Sequence, residues 1–359
     1  MVITEIKLFP VRTPRETGSI SQHVIVKIFT DDGIVGIGEM SDIRDVPAVP
    51  DLIDLEKRLT QMLRGTDPLD YNPGRTLVRR YGMTVGAGVE IGLYDLRGRI
   101  LGVPVCYLLG GKSRDRIRVC YPIFSNPHDP SGEENVARVG RMLDQEFDLF
   151  RFYCGKGNLD ADERFLQGVR QTYGDRVSFK SLDMSGQFTW HEAVKVVNRF
   201  ERYGFMMVES PCWSMADAAR ARDRIGLPVS EHVHTVERAR ALIEAKATDI
   251  FNIEVTYGGF EHARKLFQLA EMFDVKTLIG TTQELSIGTA AQVHLGSAMP
   301  NLDFPCDPAG GRLYVKDVVV KRVAYHAGHL LVPEGPGLGV EIDEAKLSEA
   351  ACPLHEGWP

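Results

Sequence analysis

The chain has 359 residues, with 42 basic and 49 acidic side chains and a formal net charge of −7. Its 43% hydrophobic and 25% charged residues are ordinary globular composition and argue against disorder. No run of about eighteen uncharged apolar residues could span a bilayer, no leader is visible in Met1-Val2-Ile3-Thr4-Glu5-Ile6-Lys7, and mild acidity without a basic stripe argues against nucleic acid. The length is about twice that of an average domain, which means two domains or one large barrel with an addition. Cys106, Cys120, Cys154, Cys212, Cys306 and Cys352 form no C-x-x-C pair. That favours a reduced, cytoplasmic protein over a disulfide framework or a zinc-thiolate site.

The first forty residues read as antiparallel strands. Gln22 to Thr30 is rich in β-branched residues, Asp32-Gly33 signals a hairpin turn, and Ile34 to Gly38 returns. Arg12 to Ser21 is polar, contains Pro and Gly, and is long for a hairpin, so it is expected to be a lid. Helical patterning follows from about Pro50 to Leu109, with Val85, Val89, Leu93, Leu96 and Ile100 on one face and Gly110-Gly111 as the stop. From about Arg116, short apolar runs alternate with amphipathic stretches. The expected strands are Arg118–Phe124, Leu149–Tyr153, Val177–Asp183, Phe205–Glu209, Pro228–His232, Asp249–Val255, Lys276–Gly280 and Leu302–Pro305. Between them lie helical segments such as Thr189–Tyr203, with Thr189 as N-cap. A strand-then-helix unit every 25 to 30 residues, roughly eight times over, is the signature of a parallel (β/α) barrel. The tail from Val318 is strand-like, turn-rich and helix-poor.

In such a barrel the chemistry sits at the C-terminal ends of the strands. Those ends carry Arg151 and Tyr153, then Asp183, then Glu209, then Glu231-His232 with His234 beyond. Asp183, Glu209 and His232 are each about one strand–helix unit apart, so they converge from adjacent strands. Two carboxylates and a third ligand, with positions left open, suit Mg²⁺ or Mn²⁺, which can stabilise an enediolate. Glu231 is the more conventional magnesium ligand, and strand alternation lets only one of Glu231 and His232 face the axis.

Motifs spread along most of the chain resemble those of the enolase superfamily, in its mandelate racemase and muconate-lactonising branch. Val89 to Gly98 with Leu101 to Gly111 resembles the capping-domain signature. Leu182 to Gly186, Val208 to Pro211, Gln283 to Ala290 and Gly335 to Val340 resemble the barrel and tail motifs. The resemblance implies a modified (β/α)7β barrel under an α+β capping domain built from both termini, with residues 1–115 as cap, 116–325 as barrel and 326–359 completing the cap. It also implies an essential Mg²⁺ (or Mn²⁺) and abstraction of a proton α to a carboxylate. Asp183 and Glu209 match the first two metal ligands, and the third position falls on His232, where the family usually has Asp or Glu.

The base positions depart from the family. Arg151-Phe152-Tyr153 stands where most relatives carry Lys-x-Lys, and Asn252-Ile253-Glu254 where the lactonising branch has a lysine. Phe251 and Gly280 stand where the mandelate racemase Asp and His are expected. Tyr153 becomes the expected base, its pKa lowered from about 10 by Arg151 and further by a nearby metal charge. Arg-x-Tyr with a histidine ligand resembles acid-sugar dehydratases of the galactarate type, in which a cap tyrosine assists loss of the β-hydroxyl, and Tyr81 is the best match. The expected reaction is therefore Mg²⁺-dependent dehydration of a sugar acid, galactarate first, to a 2-keto-3-deoxy acid. The alternatives are an epimerase or cycloisomerase of the same superfamily, with Glu254 as the candidate second base, and a non-catalytic sugar-acid binding protein. His234, Asn252, Glu254, Thr281, Thr282 and Gln283 are candidate hydroxyl ligands. Arg12, Arg15 and His23 are candidate partners of a distal carboxylate. Trp190 and His294 are expected to be structural. A homo-oligomer is expected.

Overall fold

A computed structural model describes residues 1–41, 43, 51–70, 72–126, 128–155 and 158–352; Pro50, the expected start of the helical stretch, lies outside them. The chain opens with the antiparallel strands β1 (Ile3–Pro14), β2 (Ile20–Thr30) and β3 (Val35–Met40). Gly33 turns β2 into β3 with φ +87°, where only glycine is unstrained. The expected lid is shorter than its composition suggested. Pro14 pairs with Ile20, so only residues 15–19 connect the strands. Their tip is tied down by the amide of Glu16 on the Leu313 carbonyl (3.0 Å) and a bridge between Arg15 and Tyr314.

The apolar spacing from Val85 onward produces the helix Met83–Leu101. Val85, Val89, Leu93 and Leu96 bury against the three-stranded sheet, together with Leu52, Leu55, Leu59 and Leu63 of the helix Leu52–Leu63. This is the core of the capping domain, separate from that of the barrel.

After β4 (Arg116–Arg118) come seven parallel strands in one sheet: β5 (Tyr121–Phe124), β6 (Leu149–Tyr153), β7 (Ser178–Asp183), β8 (Phe205–Glu209), β9 (Val229–His232), β10 (Ile250–Ile253) and β11 (Lys276–Ile279). Each neighbours the next in chain order, and helices fill the intervals. Trp190–Phe200 begins at Thr189 with a full capping box to Glu192. The expected eighth strand at Leu302–Pro305 does not form. Pro305 has no N–H to give a ladder, and the segment closes the ring by scattered bonds instead. The amides of Asp303 and Asp307 reach the carbonyls of Thr277 and Ile279, while the amide of Cys306 and that of Cys120 link Cys306 to the chain entering β5.

The tail divides its allegiance, unlike the expected single cap segment. β12 (Tyr325–His326) and β13 (His329–Leu331) pair with β4, not with the cap sheet. Beyond them, against the helix-poor expectation, Asp343 caps a helix at Glu344–Ala350. There the tail joins the cap: Ala351 bridges Val11, and Glu344 pairs with Lys27 of β2 (2.6 Å).

One buried carboxylate holds cap to barrel, and a second lies buried where the two meet. Glu39 of β3 accepts from the amides of Leu285 (2.9 Å) and Gly288 (2.7 Å), at the start of the barrel helix Ser286–Ala298, where a negative charge is favoured. Its Oε1 also meets the Ser41 hydroxyl and His23, and His23 continues to the Tyr314 hydroxyl (3.1 Å), which donates to the Gln283 carbonyl. Glu90, on the cap helix, wedges between Gly74 and Gly259, so close to both that neither could carry a Cβ without displacing it. Burial pushes the Glu90 pKa up to about 8, and the charge of Glu261 adds to the shift.

A carboxyl held above its ordinary 4.5 favours the fold below that pH, and the contribution is lost as pH rises through about 8. Between about pH 5 and about pH 9 the parent should therefore lose more thermal stability than Glu90→Gln, as measured by scanning calorimetry. Parallel pH profiles would remove Glu90 as the titrating group.

Candidate active site

Register places the site. Tyr153 of β6 lies opposite Asp183 of β7, which lies opposite Glu209 of β8, and Glu209 pairs with Ser230 of β9. His232 is two residues beyond Ser230 on the same face, so its ring stands one layer above the carboxylates. Its Nε2 is 3.2 Å from Glu209 Oε1. Glu231 points the other way, to Arg238 on the surrounding helix (3.0 Å), and burial pushes its pKa up to about 7. Of the two candidates, His232 is the one that faces the barrel axis.

Beneath this layer, Arg151 is fully buried. Its Nη1 lies 3.2 Å from Glu209 and 3.3 Å from Asp307, and its Nε lies 3.9 Å from Asp183. Lys180 joins it through Asp307, and Asn252 donates to Glu209 (3.1 Å). Plain alternation from Asp183 would turn Lys180 outward. A bulge intervenes: Phe150 pairs with Phe179 but Arg151 with Ser181, so Lys180 is skipped and both it and Ser181 reach the interior. Lys180 and Asp307 were not anticipated as site residues, because the bulge breaks the period-two pattern and Asp307 lies outside any regular strand.

The electrostatics are uneven. Burial disfavours the charged form of Glu209, but Arg151, His232 and Lys180 outweigh it and hold its pKa below the ordinary carboxylate value. Asp183 is pushed up to about 6 by burial and by the charge of Glu209. Burial also works against a charged His232, yet Glu254 and Glu209 outweigh it and raise its pKa well above the ordinary value. Glu254 sits between two imidazoles, with Oε1 3.3 Å from His232 Nδ1 and Oε2 2.9 Å from His234 Nε2. Immediately past the carboxylates, Ser185 and Ser210 have φ of +49° and +43°, uncommon for non-glycine residues and typical of functional loops.

Tyr153 departs from expectation. The Arg151 guanidinium lies 4.7 Å from the centre of its ring, and Phe124 stacks against it at 4.6 Å. Burial outweighs the pull of Arg151, so the phenol pKa is raised well above its ordinary value rather than lowered. Arg151 alone does not make this tyrosine a base.

Other expected residues divide. Asn252 is buried against Gly280, where an added Cβ would come within 1.8 Å of the Asn252 Oδ1, which explains why no side chain stands at 280. The hydroxyls of Thr281 and Thr282 turn inward to Glu284, a buried carboxylate that Thr256 also holds (2.7 Å), so they are not free for a ligand. Gln283 keeps a strained φ of +68°, and its Oε1 is buried with no hydrogen bond among the described residues. His23 is spent on Glu39 and Tyr314 at the domain seam rather than facing a substrate. Arg15 is buried against Ser21 and the Tyr314 ring, and Arg12 lines a cavity of about 420 Å³ with Lys316, Arg322 and Lys346. Tyr81 ends the helix Gly74–Tyr81 and packs against the cap core, its hydroxyl buried without a hydrogen-bond partner among the described residues. His294 is structural as expected, with Nε2 on the Leu338 carbonyl (3.1 Å).

The donor set fits a divalent cation. Two buried carboxylates face each other across neighbouring strands, one of them with its negative charge poorly compensated, and an imidazole nitrogen stands beside the other.

Comparison with known proteins agrees with this architecture. Residues 1–110 match the mandelate racemase / muconate lactonizing enzyme N-terminal domain, and residues 134–346 match the enolase C-terminal domain-like family. The chain thus belongs to the enolase superfamily, in the mandelate racemase/muconate lactonizing branch. It is 27% identical to muconate cycloisomerase 1-1 of Acinetobacter lwoffii over 90% of this chain and 87% of that one. It is also 27% identical to the L-Ala-D/L-Glu epimerase of Clostridium acetobutylicum (92% and 94% covered), and 25% identical to the D-xylonate dehydratase of Haloferax volcanii (89% and 83%). Among solved structures, 2-chloromuconate cycloisomerase from Rhodococcus opacus 1CP superposes with a TM-score of 0.88 at 27% identity, covering 98% of this chain and 99% of that one.

Breaking a buried ion pair leaves an uncompensated charge, which costs about 3–5 kcal/mol. Lys180→Met should lower unfolding stability by that amount in denaturant titration, and Lys180→Met with Asp307→Leu should recover part of it. A single variant as stable as the parent would show that Lys180 contributes nothing to the barrel interior.

Proposed function

We propose that this enzyme removes a proton α to the carboxylate of a small polyhydroxy acid and eliminates the β-hydroxyl, with galactarate as the first substrate to test. The observation that carries the reading is the absence, among the described residues, of a lysine at the ends of β6 and β10. The positions at the ends of β6 and β10 where lysines are expected by family resemblance hold Arg151, Tyr153, Asn252 and Glu254, and Lys180, the lysine that the described residues place in the barrel interior, is locked to Asp307. A D-xylonate dehydratase among the relatives supports dehydration as an activity this architecture can host.

Asp183, Glu209 and His232 are the residues that would hold Mg²⁺ or Mn²⁺. The bound cation would polarise the substrate carboxylate and stabilise the enediolate. Tyr153, once ionised, would take the α-proton at its phenolate oxygen and return to the neutral phenol, with Arg151 fixed against its ring. Since burial keeps the phenol neutral in the cation-free protein, its deprotonation depends on positive charge beyond Arg151. Tyr81, whose buried hydroxyl has no hydrogen-bond partner among the described residues, is the proposed donor to the departing hydroxyl. Gln283 and Asn252 remain the proposed hydroxyl contacts, and Arg15 the contact for a second carboxylate.

A second reading, epimerisation or cycloisomerisation, has its own support. The relatives include cycloisomerases and an epimerase. His234 and Glu254 also place an acid–base pair three to four strands around the ring from Tyr153.

A panel of mono- and diacid sugars with Mg²⁺ in deuterated water separates the two. Dehydration gives a semicarbazide-reactive 2-keto acid, and Tyr153→Phe should lower kcat by about 10²–10⁴-fold. Deuterium entering the α-carbon of recovered substrate without keto acid would establish the second reading instead.

A further inference from the structure

We infer that Glu254 is a positioning residue for the cation site, a carboxylate clamp that fixes which nitrogen of His232 is offered to the metal. The inference rests on Asp183, Glu209 and His232 being the ligand set, and it goes beyond that set to a residue that does not touch the cation.

An imidazole offers a metal one nitrogen only, and the partner of the other nitrogen decides which. His232 has its Nε2 on the Glu209 side (3.2 Å) and its Nδ1 on the Glu254 side (3.3 Å). Glu254 is itself buried and can hardly rotate. Its second oxygen is engaged by His234 Nε2 at 2.9 Å, and its stem packs on Gly280, where nothing larger than hydrogen fits. With its carboxylate fixed, Glu254 accepts from Nδ1–H of His232, so a cation beside Glu209 would take the Nε2 lone pair in place of the proton that Nε2 shares with Glu209 in the cation-free protein. The His234 ring is in turn held against Tyr257, centroid to centroid 4.4 Å. The chain Tyr257–His234–Glu254–His232 thus carries rigidity from a loop beyond β10 to the metal-facing nitrogen. It also accounts for a histidine at a carboxylate position: unlike a carboxylate, an imidazole needs a partner to set its orientation, and the residue directly after β10 supplies one.

Glu254→Gln and Glu254→Ala should weaken Mn²⁺ binding by about 10–100-fold, measured by isothermal titration or by the electron paramagnetic resonance of free Mn²⁺. His234→Asn should weaken it less than about threefold. Nitrogen-15 spectra of the Mg²⁺-loaded parent should show His232 protonated at Nδ1, and Glu254→Ala should lose that single form. A structural role alone would shift the melting temperature and leave the tautomer intact. If the parent binds Mn²⁺ and Asp183→Asn does not, the ligand set stands; unchanged affinity in both Glu254 variants then overturns the clamp alone. Mn²⁺ binding that survives Asp183→Asn but is lost in His234→Asn would also overturn it, by making His232, His234 and Glu254, whose donor atoms lie within 4.8 Å of one another, the ligands themselves. No binding to the parent would remove the metal reading first.

Discussion

A guanidinium in a barrel interior is tolerated only where carboxylates surround it, and Arg151 sets the terms for everything around it. It meets Glu209 and Asp307 directly and Asp183 at a longer distance, while Lys180 takes up the rest of Asp307. Two cations thus face three anions. The compensation is not shared equally, because Glu209 collects Arg151, Ser181, Asn252 and His232, whereas Asp183 is left with the amide and hydroxyl of Ser185 and the more distant Arg151. The excess negative charge therefore resides at Asp183, on the open side of the barrel, next to Tyr153. The same cluster holds the guanidinium beside the tyrosine: its Nη1 is committed to Glu209 and Asp307, and its carbon lies 4.7 Å from the centre of the Tyr153 ring.

The seam between cap and barrel is built on the same principle of buried charge given a fixed partner. Glu39 closes the first turn of a barrel helix, and the His23–Tyr314 chain extends that contact to the loop holding Gln283 and Glu284. The short β1–β2 connection is anchored on the same tyrosine. The cap is thus joined to the loop that carries the mouth's polar groups, so residues of both domains take their positions from one hydrogen-bonded chain.

Much of this was legible in the chain itself. The β6 and β8 boundaries follow from apolar runs closed by polar residues, and the N-cap at Thr189 from its residue type. The convergence of Asp183, Glu209 and His232 follows from their common place at strand ends. What escaped has physical causes. A bulge moves Lys180 inward against the period of the strand. Asp307 and Glu39 act through contacts far apart in sequence. Pro305 replaces an expected strand with scattered bonds. His23 reads as a ligand candidate until its two ring nitrogens are seen to be occupied. The perturbation of Tyr153 depends on burial, which a neighbouring arginine in the sequence does not reveal.

Gly280 and Asn252 have a consequence for how such enzymes diverge. The amide of Asn252 occupies the volume that any side chain at 280 would need, and it is held there by Glu209. A histidine at 280, of the kind racemases in this branch are expected to use, would have to push the Asn252 amide aside and with it the hydrogen bond to Glu209. The two positions are therefore coupled, and a side chain gained at 280 is felt at a carboxylate of the candidate cation site.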